Sequence, residues 1–144
     1  MAAAIRDLKL WQEAVALAGE VIRSLRANRR EAHAVVEHVM ATAIAVATYV
    51  TDGYARYEAA EQHQLYTAAK RELLRLETHL ALARRADLLS AERDAELTTR
   101  TQSVARLLVG YLAYLDRQLA NRQQPPALPA QGVARVGETK AEGG

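Results

Sequence analysis

The sequence predicts an all-α fold, an up-down-up-down four-helix bundle with a disordered C-terminal tail. Three observations predict it. Apolar residues recur at alternating spacings of three and four in four successive segments, the period of one face of a helix. Half of the 144 residues are hydrophobic, with no Phe and only three Pro, and Ala, Leu, Arg and Glu dominate; these side chains lose little rotamer freedom in a helix. Convincing strand-type alternation between turn residues occurs nowhere. A chain of this length forms one domain with a real core, expected over residues 1–122, with the tail at 123–144.

The first helix is expected from about residue 5 to 27. Leu8, Trp11, Val15, Ala18, Ile22 and Leu25 form its seam, which makes the single tryptophan a core anchor and turns Arg6, Lys9, Glu13 and Glu20 mostly away. "RANRR" (Arg26 to Arg30) connects it to a second helix, Glu31 to Asp52, with Val36, Val39, Ala43, Val46 and Val50 on the seam. Met40, Ile44 and Ala47 widen that apolar surface, so the helix should be buried on a second side, supplied by a subunit interface. Asp52-Gly53 is a turn-type pair that ends it.

The third helix, about Ala59 to Ala86, carries Tyr66, Ala69, Leu73, Leu76, Leu80 and Ala83. Ser90 is a good N-cap for the fourth, because its hydroxyl accepts from a first-turn amide, and Glu92, Asp94 and Glu96 suit the positive end of the helix dipole. Val104, Leu108, Tyr111 and Leu115 line this helix to about Arg122. Gly110 sits inside it at a cost of about 1 kcal/mol against Ala, which implies close approach of a neighbouring helix. The proline- and glycine-containing stretch that follows has little apolar content and reads as disordered.

Several function classes lack their residues. Without cysteine there are no disulfides, thiolate metal sites or cysteine nucleophiles. The N-terminus has no secretory pattern, and the longest charge-free run, Val39 to Thr51, is about 13 residues against the roughly 20 that span a bilayer. A soluble cytoplasmic protein, not associated with membrane, is expected. None of His33, His38, His63 and His79 has a Glu three residues before it or another His four away, so they read as surface or interface residues, with no metal and no cofactor. There is no glycine-rich phosphate loop, and Ser24, Ser90 and Ser103 have no base beside them in sequence. The chain reads as a non-enzyme.

The cations are more informative. Only Lys9, Lys70 and Lys140 are lysines; the rest are arginines, whose planar fork suits phosphate, although GC-rich coding gives the same bias. Arg23, Arg26 and Arg30 form one basic stripe, Lys70, Arg71 and Arg75 a second cluster, and Arg84 with Arg85 a third. Glu72 and Glu77 lie close enough to share those charges, so a solvated, salt-bridged face is the plain alternative. A net charge of +2 is weak for a polyanion ligand, but a closed ring of five carries about +10 and repeats each cluster around one surface. Tyr54 and Tyr57, beside Arg56, either stack on unpaired bases or pack on the bundle end, the second being the expected role.

"DLKLWQEA", "YVTDGYAR" and "LETHLALARRADLLS" resemble segments of the bacterial four-helix-bundle proteins named after an intervening sequence of 23S ribosomal RNA. "LYTAAKRELLRLETHLALA" and "VARLLVGYL" resemble the related accessory variability determinant of diversity-generating retroelements, and together the similarity covers roughly residues 5 to 119. The resemblance implies a homopentameric ring. It also implies a non-enzymatic accessory that binds RNA or DNA and a reverse transcriptase in support of mutagenic cDNA synthesis. Lys70, Arg71 and Arg75 are the best candidate contacts, on charge and position alone. The alternative is a homo-oligomeric protein-interaction scaffold of the ribosomal-RNA type that binds no nucleic acid.

Overall fold

The computed structural model describes residues 2–28 and 33–123. Its elements are α1 (Ala2–Arg6), α2 (Lys9–Leu25), a 3-10 turn (Arg26–Asn28), α3 (His33–Tyr54), α4 (Ala59–Arg85) and α5 (Ala91–Gln123), with no strand among the described residues. Arg30, the Glu31 start expected for the second helix and residues 124–144 of the expected tail lie outside the described residues. Gln123, assigned to the tail from sequence, is still in α5.

The four long helices pack in sequence order, and α5 returns to α2. Thr42 meets His79 and Gly53 meets Tyr66; His63 meets Asp116 and Tyr66 meets Tyr111. In each pair one residue number rises as the other falls, so α3–α4 and α4–α5 are antiparallel. The core is leucine and valine, with Leu10, Leu17, Leu25, Leu76, Leu97 and Leu108 among the fully buried side chains. Each such burial contributes about 1.5–3 kcal/mol relative to exposure.

The seams expected for α3 and α4 are all buried, as are Val104, Leu108 and Leu115 of α5. In α2 the seam lies one stripe over. Leu10, Ala14, Leu17, Val21 and Leu25 face the interior with Ala18, whereas Val15 is exposed and Leu8, Trp11 and Ile22 pack half-buried at the edge. Two adjacent apolar stripes run along this helix, and the one turned to the core is a residue ahead of the one spacing selected. Trp11 is therefore a flanking residue, with the Arg6 guanidinium 5.7 Å from its ring centroid, within cation–π reach.

The first helix is also broken. Asp7 and Leu8 donate to the carbonyls of Ala4 and Ile5, Leu8 adopts an extended conformation, and α2 starts afresh at Lys9. Neither Leu8 nor Glu58, the N-cap residues of α2 and α4, makes a side-chain cap. Both helices share another device four residues in. Gln12 donates from its side chain to the Arg6 carbonyl at 2.6 Å, and Gln62 donates to the Arg56 carbonyl at 2.8 Å. Each glutamine folds the entering chain back over its helix.

Asp52-Gly53 does not turn. α3 continues to Tyr54, and Gly53 is a helical, buried glycine against α4. A Cβ at Gly53 would lie 2.6 Å from Tyr66 Cε1 and 2.8 Å from Cδ1. The residue that sequence reads as a breaker is thus a packing residue. Gly110 shows the reverse: it is exposed, and among the described residues nothing lies within 4 Å of a Cβ built there. The close neighbour expected at that position is not found among the described residues. At the α4–α5 turn Asp87 takes a left-handed φ of 59°, and Leu88 N–H donates to the Ala83 carbonyl at 2.9 Å. Ser90 then caps α5 as expected, its Oγ accepting from Arg93 N–H at 3.1 Å.

α3 has two faces. Its seam is buried against α2 and α4, yet Ile44 on the outer side is 48% exposed and borders a shallow apolar groove of about 340 Å³ with Val15, Gly19 and Ile22 of α2. Ala34–Tyr54, 21 residues with mean hydropathy 1.5, is long and apolar enough to cross a membrane by length and composition. The charge-free run alone understated it. In this bundle the helix occupies the position of a core helix.

Gly53→Ala should lower stability by about 1–3 kcal/mol, because the Tyr66 ring must shift and overpacking outweighs the gain in helix propensity. Gly110→Ala should leave stability unchanged or raise it by up to about 1 kcal/mol. Urea unfolding of the two variants beside the parent protein checks both.

Candidate nucleic-acid interface

Antiparallel alternation decides which cations share a surface. α2 and α4 finish at the same end of the bundle, so Arg23 and Arg26 share that end with Arg84 and Arg85. Lys70, Arg71 and Arg75 lie midway along α4. Arg71 and Arg84 are separated by about 20 Å along the helix axis at the standard rise per residue. The three clusters therefore make two sites, one on the side of α4 and one at the bundle end. Arg30 lies outside the described residues.

Ion pairing separates them further. Arg23 pairs with Glu20 at 3.1 Å, Arg75 with Glu72 at 2.9 Å and Arg84 with Asp87 at 3.9 Å. Arg93, missed from sequence, holds Glu20 at 3.4 Å and Glu96 at 2.7 Å, which ties the start of α5 to α2. Among the described residues Lys70, Arg71, Arg26 and Arg85 have no ion-pair partner, and all four are exposed. Exposed pairs such as these contribute at most about 1 kcal/mol each, but a paired arginine presents less net charge to a ligand. Lys70 and Arg71 flank a groove of about 330 Å³ floored by Leu73, Leu74 and Ala105, with Glu77 as its one acid. Arg84 and Arg85 border a larger cleft of about 450 Å³, where Glu77 and Asp94 offset them.

The aromatic residues divide as well. Tyr54 is half-buried, and its neighbours Tyr66 and Tyr111 stand with ring centroids 5.8 Å apart. Burial, then the nearby Tyr111 and Tyr54 hydroxyls, pushes the Tyr66 phenol up to about 12. Tyr57 is 89% exposed beside exposed Arg56, so packing on the bundle end, expected for both loop tyrosines, fails for this one. An exposed ring adjacent in sequence to an exposed arginine has the composition of a base-stacking surface.

Two histidine pairings escape sequence reasoning because each joins different helices. His63 Nε2 lies 2.8 Å from Asp116 Oδ1, with Thr67 Oγ1 3.5 Å from the other ring nitrogen. This hydroxyl–imidazole–carboxylate array lies on the bundle surface. Thr67 is mid-helix, where backbone amides are engaged by carbonyls four residues back, and the array bridges α4 to α5. His79 meets Thr42 Oγ1 at 3.0 Å through Nδ1 and stands edge-on to His38. Burial, then the facing His38, holds its pKa below the ordinary value. No group of three or more His, Cys, Asp or Glu among the described residues could hold a metal ion.

The 23S rRNA-intervening sequence protein model matches residues 6–110. The chain belongs to this family. The match to the 23S rRNA-intervening sequence protein spans α2, α3 and α4 whole and α5 as far as Gly110. Every candidate cation, from Arg23 to Arg85, falls within it. No curated protein matches the chain.

The Tyr66 environment has a measurable consequence. Between pH 10 and about 12 the unfolded chain loses that phenolic proton while the folded chain keeps it, so stability should fall as pH rises through this window. Urea unfolding across that range should show the fall, and Tyr66→Phe should flatten it.

Proposed function

We propose that this protein is a non-enzymatic, cytoplasmic nucleic-acid-binding accessory that works as a homopentameric ring. In its sharpest form it binds RNA or DNA together with a reverse transcriptase and supports mutagenic cDNA synthesis. The observation that carries the reading is the pair Lys70 and Arg71, which stays exposed and without an ion-pair partner among the described residues while Arg23, Arg75 and Arg84 are engaged. Such a pair favours phosphate because nothing must be displaced to reach it. Exposed Tyr57 beside Arg56 adds a stacking surface at a connection. Likeness of the α4 and α5 sequences to the retroelement accessory supports the sharper form.

Assembly strengthens the argument. The exposed apolar side of α3 and the open surface at Gly110 are what a ring contact covers. Repetition of one unpaired cation pair around a ring multiplies the phosphates engaged together. A second reading, a protein-interaction scaffold of the same family, is favoured by the ion pairing of Arg23, Arg75 and Arg84.

Binding of a labelled structured RNA, titrated at low and moderate salt, tests both. The parent protein should bind at low salt with affinity falling steeply as salt rises. Lys70→Ala/Arg71→Ala should weaken binding and lower the salt slope by about one for each phosphate no longer engaged, while Arg75→Ala should do less. Unchanged affinity in the double variant overturns the site. No binding by the parent protein at low salt overturns the function and leaves the scaffold.

A further inference from the structure

The face where α3 meets α4 near the start of α3 carries a second kind of chemistry. His38 on α3 and His79 on α4 stand with ring centroids 5.6 Å apart and planes at 70°. Thr42 fixes one of them. Its hydroxyl lies 2.8 Å from the His38 carbonyl, which can only accept, and 3.0 Å from His79 Nδ1. A hydroxyl has one proton. With that proton given to the carbonyl, Thr42 Oγ1 accepts from His79 Nδ1–H. The His79 lone pair is then on Nε2.

This is how metal-binding histidines are prepared: one ring nitrogen donates to an oxygen, which sets the tautomer and leaves the other nitrogen to coordinate. The spacing fits as well. Two imidazoles bound at about 2.0–2.1 Å to one tetrahedral ion place their ring centroids roughly 5 Å apart. The surrounding hollow, about 290 Å³, is walled by Ala34, Val35, Val39 and Leu82, so the imidazoles are its polar groups. The charges nearest His79, Glu72 and Arg75, are paired with each other at 2.9 Å and leave little net field there.

We infer that His38 and His79 form a two-histidine site for a divalent ion late in the first transition row, such as Zn²⁺ or Cu²⁺, oriented by Thr42. Water completes the coordination, because no third protein ligand joins the pair among the described residues. The site lies apart from Lys70 and Arg71, and it stands whether or not the protein binds nucleic acid.

Titration of the full chain with Cu²⁺, the ion such nitrogen sites hold most tightly, tests it by visible absorption and electron paramagnetic resonance. The expected result is one ion per chain with a two-nitrogen splitting pattern. His38→Gln, a change at an exposed position, should abolish this signal, and His79→Gln should do the same. Thr42→Val, nearly the same shape, should weaken binding by about tenfold, and His63→Gln should not change it. Zn²⁺ should raise the melting temperature of the parent protein and not of His38→Gln. Copper binding that survives His38→Gln, or a spectrum without two histidine nitrogens, overturns the site.

Discussion

α3 and α4 come together as closely as a glycine permits, and much of the rest follows from that approach. Without a side chain at Gly53, the Tyr66 ring lies against the α3 backbone. Tyr111 of α5 then packs over Tyr66 from the other side. The phenol is left buried, which is why its pKa is raised. Further along the same seam the helices are again near enough for Thr42 to reach His79. The α3–α4 seam thus carries two polar contacts at separate points, a phenol seated on Gly53 and a hydroxyl bonded to an imidazole.

The fold is legible where spacing selects the stripe that faces the core, as it does in α3 and α4. Val36 to Val50 and Tyr66 to Ala83 each offer one set of positions at three-four spacing, and each of those residues is buried. α2 offers two stripes side by side, and spacing cannot rank them; the orientation of α3 and α5 decides. The two interior glycines read in reverse. Gly53 has the sequence context of a turn and the role of a packing contact, whereas Gly110 implies a neighbour that the described residues do not provide. Both differences have one cause: a glycine's role depends on what stands opposite, which local sequence does not record.

The candidate site is half legible. Every cation singled out within the described residues is at least partly exposed, and the sharing of charge between Glu72 and Arg75 follows from their separation of three along a helix. Glu77, equally near in sequence, makes no ion pair with these cations and instead borders the two grooves. The link from Arg93 to Glu20 joins helices far apart in sequence, as do both histidine pairings. Such partners come from register between helices, which emerges only once the seams have locked together.

The pattern of pairing also gives the molecule a direction. Its net charge is small, but partnered cations and anions cancel at close range, while Lys70 and Arg71 on the side of α4, and Arg26 and Arg85 at the bundle end, keep their field. Charge of this kind exerts a torque as well as a pull. Under the proposed function, a polyanion approaching within about 10 Å, the reach of such fields at moderate salt, would be turned toward these cations before any contact formed.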